Sequence, residues 1–453
     1  MNYKEAVQYL NGFINFERVP EPRFDTTLED LTRFRSLLSE LGDPQNRFRI
    51  VHIAGTKGKG STAAILASIL TAAGFRTGLY TSPHLISLRE RIRINGKMIL
   101  KTDFAAVIHR IGKAPTALHR GEQLAFRTVF EHLTAAALLH FARSKVDFAV
   151  VEAGLGGRLD ATVVLDPVIS IITPIGLDHT AVLGNTIAEI AADKAHIIKA
   201  GVPAVSSPQQ QEAMAELVKR ARAVGTTLRL APGRDEFKVV RSIANGTLLT
   251  SSRGWLPGSA LRLALPGSFQ LANLSTVLTA LEGLRNAGVE LLGTAVEEGI
   301  AKVKWRGRLQ FRSGAPTIIL DGSHNALAMG ALTEAIKGLM PKRKWRVVFS
   351  AMKDKPIAEM LRILKPQTTK FYLTPLRFPK GVSMTELRET AKSLDANHLT
   401  FGTVPEALEA ARRDAAPGEL VLATGSFYLV GEVMRHLHRL DPPPSDGLLD
   451  WKL

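Results

Sequence analysis

The stretch Val51-His-Ile-Ala-Gly-Thr-Lys-Gly-Lys-Gly-Ser-Thr62 carries the residue types that hold a chain of phosphates. Gly55, Gly58 and Gly60 let backbone N–H groups close on an anion with no Cβ in the way, and Lys59 reaches for the terminal phosphates. Ser61 or Thr62 offers a hydroxyl to phosphate or to magnesium, and Thr56 lies in the same turn. The spacing is short. Only Thr56 and Lys57 separate Gly55 from Gly58-Lys59, so the form G-x-x-x-x-G-K-[ST] is not met. Read alone, the stretch is either a phosphate loop or a tight structural turn.

Three further polar groups stand just past apolar runs. Glu152 ends the run 147–152, His179 follows the run 168–173 within Gly176-Leu-Asp-His179, and Asp321-Gly-Ser-His-Asn325 follows the run 317–320. In open α/β sheets, ligands gather outside the carboxyl ends of strands. A carboxylate at such an end, beside a phosphate loop, suits a hard cation such as Mg²⁺; without the loop it would read as a helix cap or a solvated acid. His179 by itself reads as a core histidine, and Asp321–Asn325 either meets a nucleotide or caps the next helix. Lys194, inside Ala191-Ala-Asp-Lys-Ala-His196, would ordinarily be a solvated helical lysine.

These groups need a frame of strands and helices. Short apolar runs at 50–54, 77–82, 147–152, 168–173 and 202–206 alternate with helical stretches at 63–73, 101–112, 126–143 and 186–199, the signature of a parallel α/β sheet. Ahead of them, residues 1–48 read as two helical pieces around a proline-bearing turn at 15–23. Residues 227–265 break the rhythm with short alternating segments at 238–241, 246–251 and 260–265, which predict a small antiparallel insertion; helix returns at 270–287. The α/β rhythm restarts with strands at 317–320, 345–350, 369–373 and 420–424. Trp305-Arg-Gly-Arg308 reads as a linker, which divides the chain into units 1–309 and 310–453, and the tail Asp441-Pro-Pro-Pro-Ser-Asp446 reads as a mobile end.

Composition narrows the function. A chain of 453 residues with 45% hydrophobic and 22% charged residues is the size of two or three soluble domains. No segment has the length and purity of a membrane span, and Met-Asn-Tyr-Lys-Glu-Ala offers no apolar signal core. The cysteine count of 0 excludes disulfides and thiolate metal sites, and fits a cytoplasmic protein. Lys and Arg total 58 against 42 Asp and Glu, a net charge of +16 that suits anionic partners. The basic residues are dispersed and aromatics make up only 6%, so a solvated basic surface is favoured over a nucleic-acid groove.

Taken together, the motifs resemble the folylpolyglutamate synthase and dihydrofolate synthase family of the Mur-ligase superfamily. The resemblance rests on Gly55-Thr-Lys-Gly-Lys-Gly-Ser61, Thr81-Ser-Pro-His84, Glu152-Ala-Gly-Leu-Gly-Gly-Arg-Leu-Asp-Ala-Thr162, Gly176-Leu-Asp-His179, Leu183-Gly184, Asp193-Lys194 and Asp321-Gly-Ser-His-Asn325, with Gly121-Glu-Gln-Leu-Ala-Phe-Arg-Thr-Val-Phe-Glu131 ahead of the Glu152 strand. It implies a parallel-sheet P-loop ATPase domain (1–309) with a small antiparallel insertion, and a smaller Rossmann-like glutamate-ligase domain (310–453). It implies an ATP-dependent ligase that forms an acyl phosphate on a substrate carboxylate, which the amino group of L-glutamate then attacks. The acceptor is tetrahydrofolate, dihydropteroate or both.

Position by position, the resemblance assigns ATP to Gly55, Thr56, Gly58, Lys59, Gly60, Ser61, Asn273, Arg308, Asp321 and His324, and magnesium to Ser82, Glu152 and His179. Lys59, His179 and Lys194 become the catalytic set, with Lys194 matching a lysine carried as a carbamate, and Ser426 lines the cleft. The pteridine is expected against the loop 18–27 and the stretch around Phe126. Small anionic substrates then account for the basic surplus, with a monomer, no nucleic acid and no membrane. The chain departs from the family pattern at Val163, where Asn is usual, at Lys57, where Asn is frequent, and at His196, where Gly is usual.

Other readings are a divergent Mur-type amino-acid ligase using a different carboxylate, a nucleic-acid-dependent NTPase, and a nucleotide-binding module disabled at Val163. A peptidoglycan-type ligase is expected to place a sugar-nucleotide domain before the loop, where this sequence has about 50 residues. An NTPase motor would need further motifs that the sequence lacks.

Overall fold

Strand β1 (Arg49–Ala54) is buried at every residue after Arg49. A strand hidden on both faces has no polar side to turn outward, so it reads as a continuous apolar run and belongs mid-sheet. It is followed by β2 (Thr77–Tyr80), β3 (Ile92–Ile94), β4 (Lys97–Met98), β5 (Phe148–Glu152), β6 (Ile169–Ile172), β7 (Ala204–Ser206) and β8 (Leu228–Leu230). In this computed structural model they form one sheet in the order β4-β3-β2-β5-β1-β6-β7-β8. From β2 to β8 the neighbours pair in parallel, and the β3–β4 hairpin adds antiparallel onto β2. The fold class is α/β. The structure describes residues 1–17, 27–114, 128–256 and 260–438.

Parallel pairing puts the carboxyl ends of β1, β2, β5 and β6 on one edge. That edge delivers the glycine loop, Ser82, Glu152 and the 173–179 segment to one place. The loop feeds the helix Lys59–Ala72, which is apolar on nearly all sides. Such a helix must be covered all round, and the helices Phe269–Asn286 and Gly293–Lys302 supply the cover. The approach is close: Ser68 Oγ donates to Gly299 O at 2.7 Å, and a Cβ on Gly299 would stand 2.5 Å from the Ile69 Cα.

β9 (Phe237–Ile243), β10 (Gly246–Ser251) and β11 (Leu261–Leu263) form the antiparallel insertion, in the order β11-β10-β9. The third sheet holds β12 (Gln310–Arg312), β13 (Thr317–Leu320), β14 (Trp345–Phe349), β15 (Thr368–Leu373), β16 (His398–Thr400) and β17 (Leu420–Thr424), ordered β12-β13-β17-β14-β15-β16. All its pairs are parallel except β12 with β13. Its carboxyl ends carry Asp321, Lys355 and Ser426.

Four details differ from the sequence reading. Residues 228–230 belong to the large sheet, pairing in parallel with β7, rather than to the insertion. The β3–β4 hairpin at the sheet edge and β16 went unread. The helix expected over 186–199 stops at Lys194 and tightens into a 3₁₀ turn, Ala195–Ile197. Trp305–Arg308 is no loose linker: the Trp305 ring stands 3.0 Å from where a Gly60 Cβ would be, Arg93 lies over that ring at 5.9 Å, and Gly307 turns with φ 69°. The 18–26 part of the proline turn, the stretch 115–127 with Phe126, and the tail from 439 lie outside the described residues.

Candidate functional site

The glycine loop is fixed by its own backbone. Thr56 N and Lys57 N both donate to Pro174 O at 3.0 Å, and Thr56 Oγ1 donates to Gly176 O at 3.1 Å. Gly55 has φ 147°, and a Cβ there would collide with the Thr173 hydroxyl. Gly58, at φ 81°, is the N-cap of the helix Lys59–Ala72, and no side chain bonds to that cap. The first-turn N–H groups of a helix, unbonded within it, form a ready anion site. Asn273, from the covering helix, lies so close to Gly58 that a Cβ would strike its Oδ1; its Nδ2 donates to Gln270 Oε1 at 2.8 Å. Thr62 Oγ1 is buried and has no hydrogen-bond partner among the described residues.

Lys59 folds back over the loop, with Nζ 3.2 Å from Gly55 O and 3.9 Å from Glu152 Oε1. Glu152 Oε2 accepts from Ser82 N at 3.2 Å, just before the cis Ser82–Pro83 bond. Burial raises the proton affinity of Glu152, and Lys59, the Ser82 N–H and Arg308 offset this only in part. A buried carboxylate so poorly compensated attracts a cation. Among the described residues no three His, Asp or Glu side chains converge as a metal cage. An ion at Glu152 would therefore draw most of its shell from hydroxyl, water and phosphate oxygens, as Mg²⁺ does. His179 sits in the left-handed region (φ 51°) with its side chain 45% exposed, at the rim of the cleft.

Lys194 is 5% exposed, and its Nζ has neither hydrogen bond nor ion pair among the described residues. Burial, and next the Lys59 charge, push its ammonium down to about 7. Gly157 makes room for it: a Cβ there would lie 2.9 Å from Lys194 Cα. The preceding Asp193 carboxylate accepts from Gly157 N at 2.8 Å, locking the helix to the glycine segment after β5. Asp160 closes the same segment by accepting from Gly154 N and Leu155 N, each at 2.9 Å.

The residue that sequence reasoning missed is Asp178. Its carboxylate meets Lys57 Nζ at 3.3 Å, Lys355 Nζ at 3.0 Å, Asn325 Nδ2 at 2.9 Å and His324 Nε2 at 3.6 Å. Lys57 comes from the glycine loop, whereas His324, Asn325 and Lys355 come from the third sheet's unit. Burial alone would raise Asp178; the His324 ring, Lys57 and Lys355 hold it well below the usual carboxylate range. Lys57, buried, falls to about 8 despite this partner. Asn325 also caps the helix Ala326–Leu339 by accepting from Ala328 N at 3.0 Å, so the cap doubles as a tether.

Asp321 is consumed locally. It accepts from Leu309 N at 2.7 Å and from Ser323 N at 2.8 Å, fixing the turn that presents Arg308. The Arg308 guanidinium lies 4.1 Å over the Phe427 ring, and burial lowers its proton affinity. Ser426 is spent capping the helix Phe427–Leu437, where it accepts from Tyr428 N at 3.1 Å.

The residues that the resemblance assigns to ATP, magnesium and catalysis, and Ser426, line one cleft of about 1390 Å³, whereas Thr62, the alternative hydroxyl to Ser61, is buried outside it. That volume exceeds the space a single small ligand needs, and leaves room for a nucleotide beside a second substrate. Val163 does not line it: the side chain packs in the apolar core around Leu165, and its carbonyl accepts from Lys199 Nζ at 2.6 Å. His196 bonds back to Ala192 O at 3.0 Å.

Two family models match the chain: "Mur ligase middle domain" over residues 53–281 and "Mur ligase, glutamate ligase domain" over 307–427. The chain is 32% identical over 438 residues to the dihydrofolate synthase/folylpolyglutamate synthase of Bacillus subtilis, covering 96% of this chain and 99% of that one. E. coli FolC in complex with DHPP and ADP superposes with a TM-score of 0.82 at 31% identity, over 97% of this chain and 98% of its own. The Yersinia pestis folylpolyglutamate synthase/dihydrofolate synthase complexed with AMPPNP and Mn ion gives 0.81 at 31% identity, over 97% and 98%.

Proposed function

As the chain belongs to the dihydrofolate synthase/folylpolyglutamate synthase family of Mur ligases, we propose that it joins L-glutamate to a folate-type acceptor, using ATP. The acceptor carboxylate takes the γ-phosphoryl group and ADP leaves. The glutamate amine then attacks the acyl phosphate, the amide forms and phosphate departs. Nothing here needs a covalent enzyme intermediate; the protein neutralises phosphate charge and aligns the partners. The observation that carries the reading is the single cleft into which the phosphate loop and the Asp321–Asn325 junction both open.

In this reading the N–H groups of 58–61 and Lys59 hold the triphosphate. Gly55 and Thr56 shape the loop, and Asn273, Arg308, Asp321 and His324 complete the nucleotide site. Ser82, Glu152 and His179 hold magnesium, which supplies a positive charge to the phosphates. Lys194 is carried as a carbamate, and its burial without a partner supports this: a lysine near 7 is largely neutral at pH 8, the form that takes up carbon dioxide. The division into an ATP-binding unit, 1–309, and a glutamate-ligase unit, 310–453, is part of the same proposal. We also propose that the chain acts as a monomer on small molecules; no helix among the described residues is long and apolar enough to cross a membrane.

The test is ADP release. It should require L-glutamate together with dihydropteroate or tetrahydrofolate, and Lys59→Ala should abolish it without altering the melting profile. Stimulation by neither acceptor would leave a ligase for another carboxylate; full activity in Lys59→Ala would remove the loop assignment.

A further inference from the structure

Arg91 lines the same cleft, and its side chain is only 4% exposed. Its Nη2 donates to both carboxylate oxygens of Glu17, at 2.9 and 2.7 Å, and its Nε donates to His84 Nδ1 at 2.8 Å. Because His84 Nδ1 accepts, the ring hydrogen is on Nε2, and that buried N–H has no acceptor among the described residues. Glu17 is different in kind. Its side chain is 34% exposed, and it sits on a short irregular segment between the helix Tyr3–Asn11 and residue 18. The segment belongs to no helix or strand: Ile14 O accepts from Val129 N at 2.9 Å, Phe16 O accepts from Lys380 Nζ at 2.6 Å, and Glu17 N donates to Asn15 Oδ1 at 3.1 Å. A buried guanidinium with an imidazole beside it is a built carboxylate receptor. A glutamate a third exposed, on backbone outside any helix or strand, is a displaceable occupant.

We propose that Arg91 and His84 form a subsite for the α-carboxylate of a glutamyl group, and that Glu17 fills it as an internal stand-in until that ligand displaces it. The inference rests on the glutamate-ligase reading above. The glutamyl carboxylate has two sources, the incoming amino acid or the tail of a folate acceptor. Dihydropteroate separates them, since it carries no glutamyl group. Removing the Glu17 charge ends the competition but leaves the buried Arg91 cation uncompensated, so the free protein loses stability that a bound carboxylate restores.

The experiment compares wild type with Glu17→Gln and the Glu17→Gln/Arg91→Met double variant, by initial rates and by melting with and without substrate. In Glu17→Gln, KM should fall on the order of tenfold with kcat little changed, the strength of one charge-assisted pair. A fall for L-glutamate with both acceptors assigns the subsite to the amino acid. A fall confined to tetrahydrofolate assigns it to the acceptor tail. Glu17→Gln should also melt lower alone and gain more from L-glutamate or tetrahydrofolate than wild type does, and the double variant should lose both gains. Unchanged or raised KM with no extra ligand-induced melting shift would reduce Glu17–Arg91 to a structural clamp and overturn the proposal. The melting arm needs no turnover, so it decides the subsite even if neither acceptor supports ADP release.

Discussion

Asp178→Asn isolates the contact that joins the two units of the cleft. Asn keeps the shape and a hydrogen-bond acceptor for Asn325 but removes the charge facing Lys57 and Lys355. Asp178 and Lys355 are each 8% exposed and Lys57 is 18% exposed, so solvent screens these contacts only partly. Breaking a buried ion pair by removing one partner costs about 3–5 kcal/mol. Two features moderate this. Lys355 keeps Asp354 at 3.2 Å, and Lys57, already near 8, can release its proton, which limits its share to about 1.4 kcal/mol per pH unit between pKa and pH. A loss of about 2–3 kcal/mol remains, which is a roughly 30–150-fold weaker docking of the third sheet's unit onto the phosphate loop. Hydrogen exchange should show it as faster opening by that factor at the N-terminal amides of the helix Ala326–Leu339, with the β-sheet cores unaffected, and KM for ATP should rise. The sign in pH follows from a depressed carboxyl. Its contribution is full above the unfolded value of about 3.9 and is lost only as pH falls through the lower folded value. The wild-type junction should therefore hold from pH 8 to pH 5. Wild-type exchange and KM in Asp178→Asn would refute the reasoning.

Gly58→Ala places a Cβ at φ 81° and against Asn273 Oδ1; left-handed strain alone costs about 1–2 kcal/mol, and phosphate binding should fall in nucleotide titrations while the fold persists. Glu152→Gln should raise the magnesium requirement or stop turnover, and an unchanged Mg²⁺ titration would end its role as ligand. Unmodified Lys194, at about 7 when folded and 10.5 otherwise, binds fewer protons folded than unfolded between those values. Its burial penalty is thus full below pH 7 and relieved as pH rises toward 10.5, so Lys194→Met should stabilise the protein more at pH 6 than at pH 9 in bicarbonate-free melts. If the carbamate forms, activity lost in Lys194→Ala should return in part with an added short carboxylate, and no rescue would count against it.

The buried strands were legible because β1, β5, β6 and β17 are covered on both faces and so read as unbroken apolar runs. Short strands at or next to the sheet edges have no such signature: Ile92–Ile94, Lys97–Met98 and Leu228–Leu230 are two or three residues long and largely uncovered, too brief to show a period. The glycine loop, Glu152 and Asp321 stood out by local spacing as a phosphate-type turn and strand-end acids, whereas Ser82, Lys194, Asn273, Arg308 and a ligand role for His179 came only through the family resemblance. Asp178 was not. Its meaning is a lysine 177 residues later and an asparagine 147 residues later, and pairings at such range leave no local pattern. Glu17 and Arg91, 74 residues apart, escaped for the same reason. Val163 misled for the converse reason: its neighbours Asp160 and Ala161 face the cleft, while its own side chain turns into the core.

The account stands most directly on the fate of one oxygen. With the acceptor carboxylate labelled with oxygen-18, transfer of the γ-phosphoryl group to that carboxylate predicts one labelled oxygen in each phosphate released, alongside one ADP and an acceptor heavier by one glutamyl residue. Phosphate released without label, or ADP formed with no gain in acceptor mass, would contradict it.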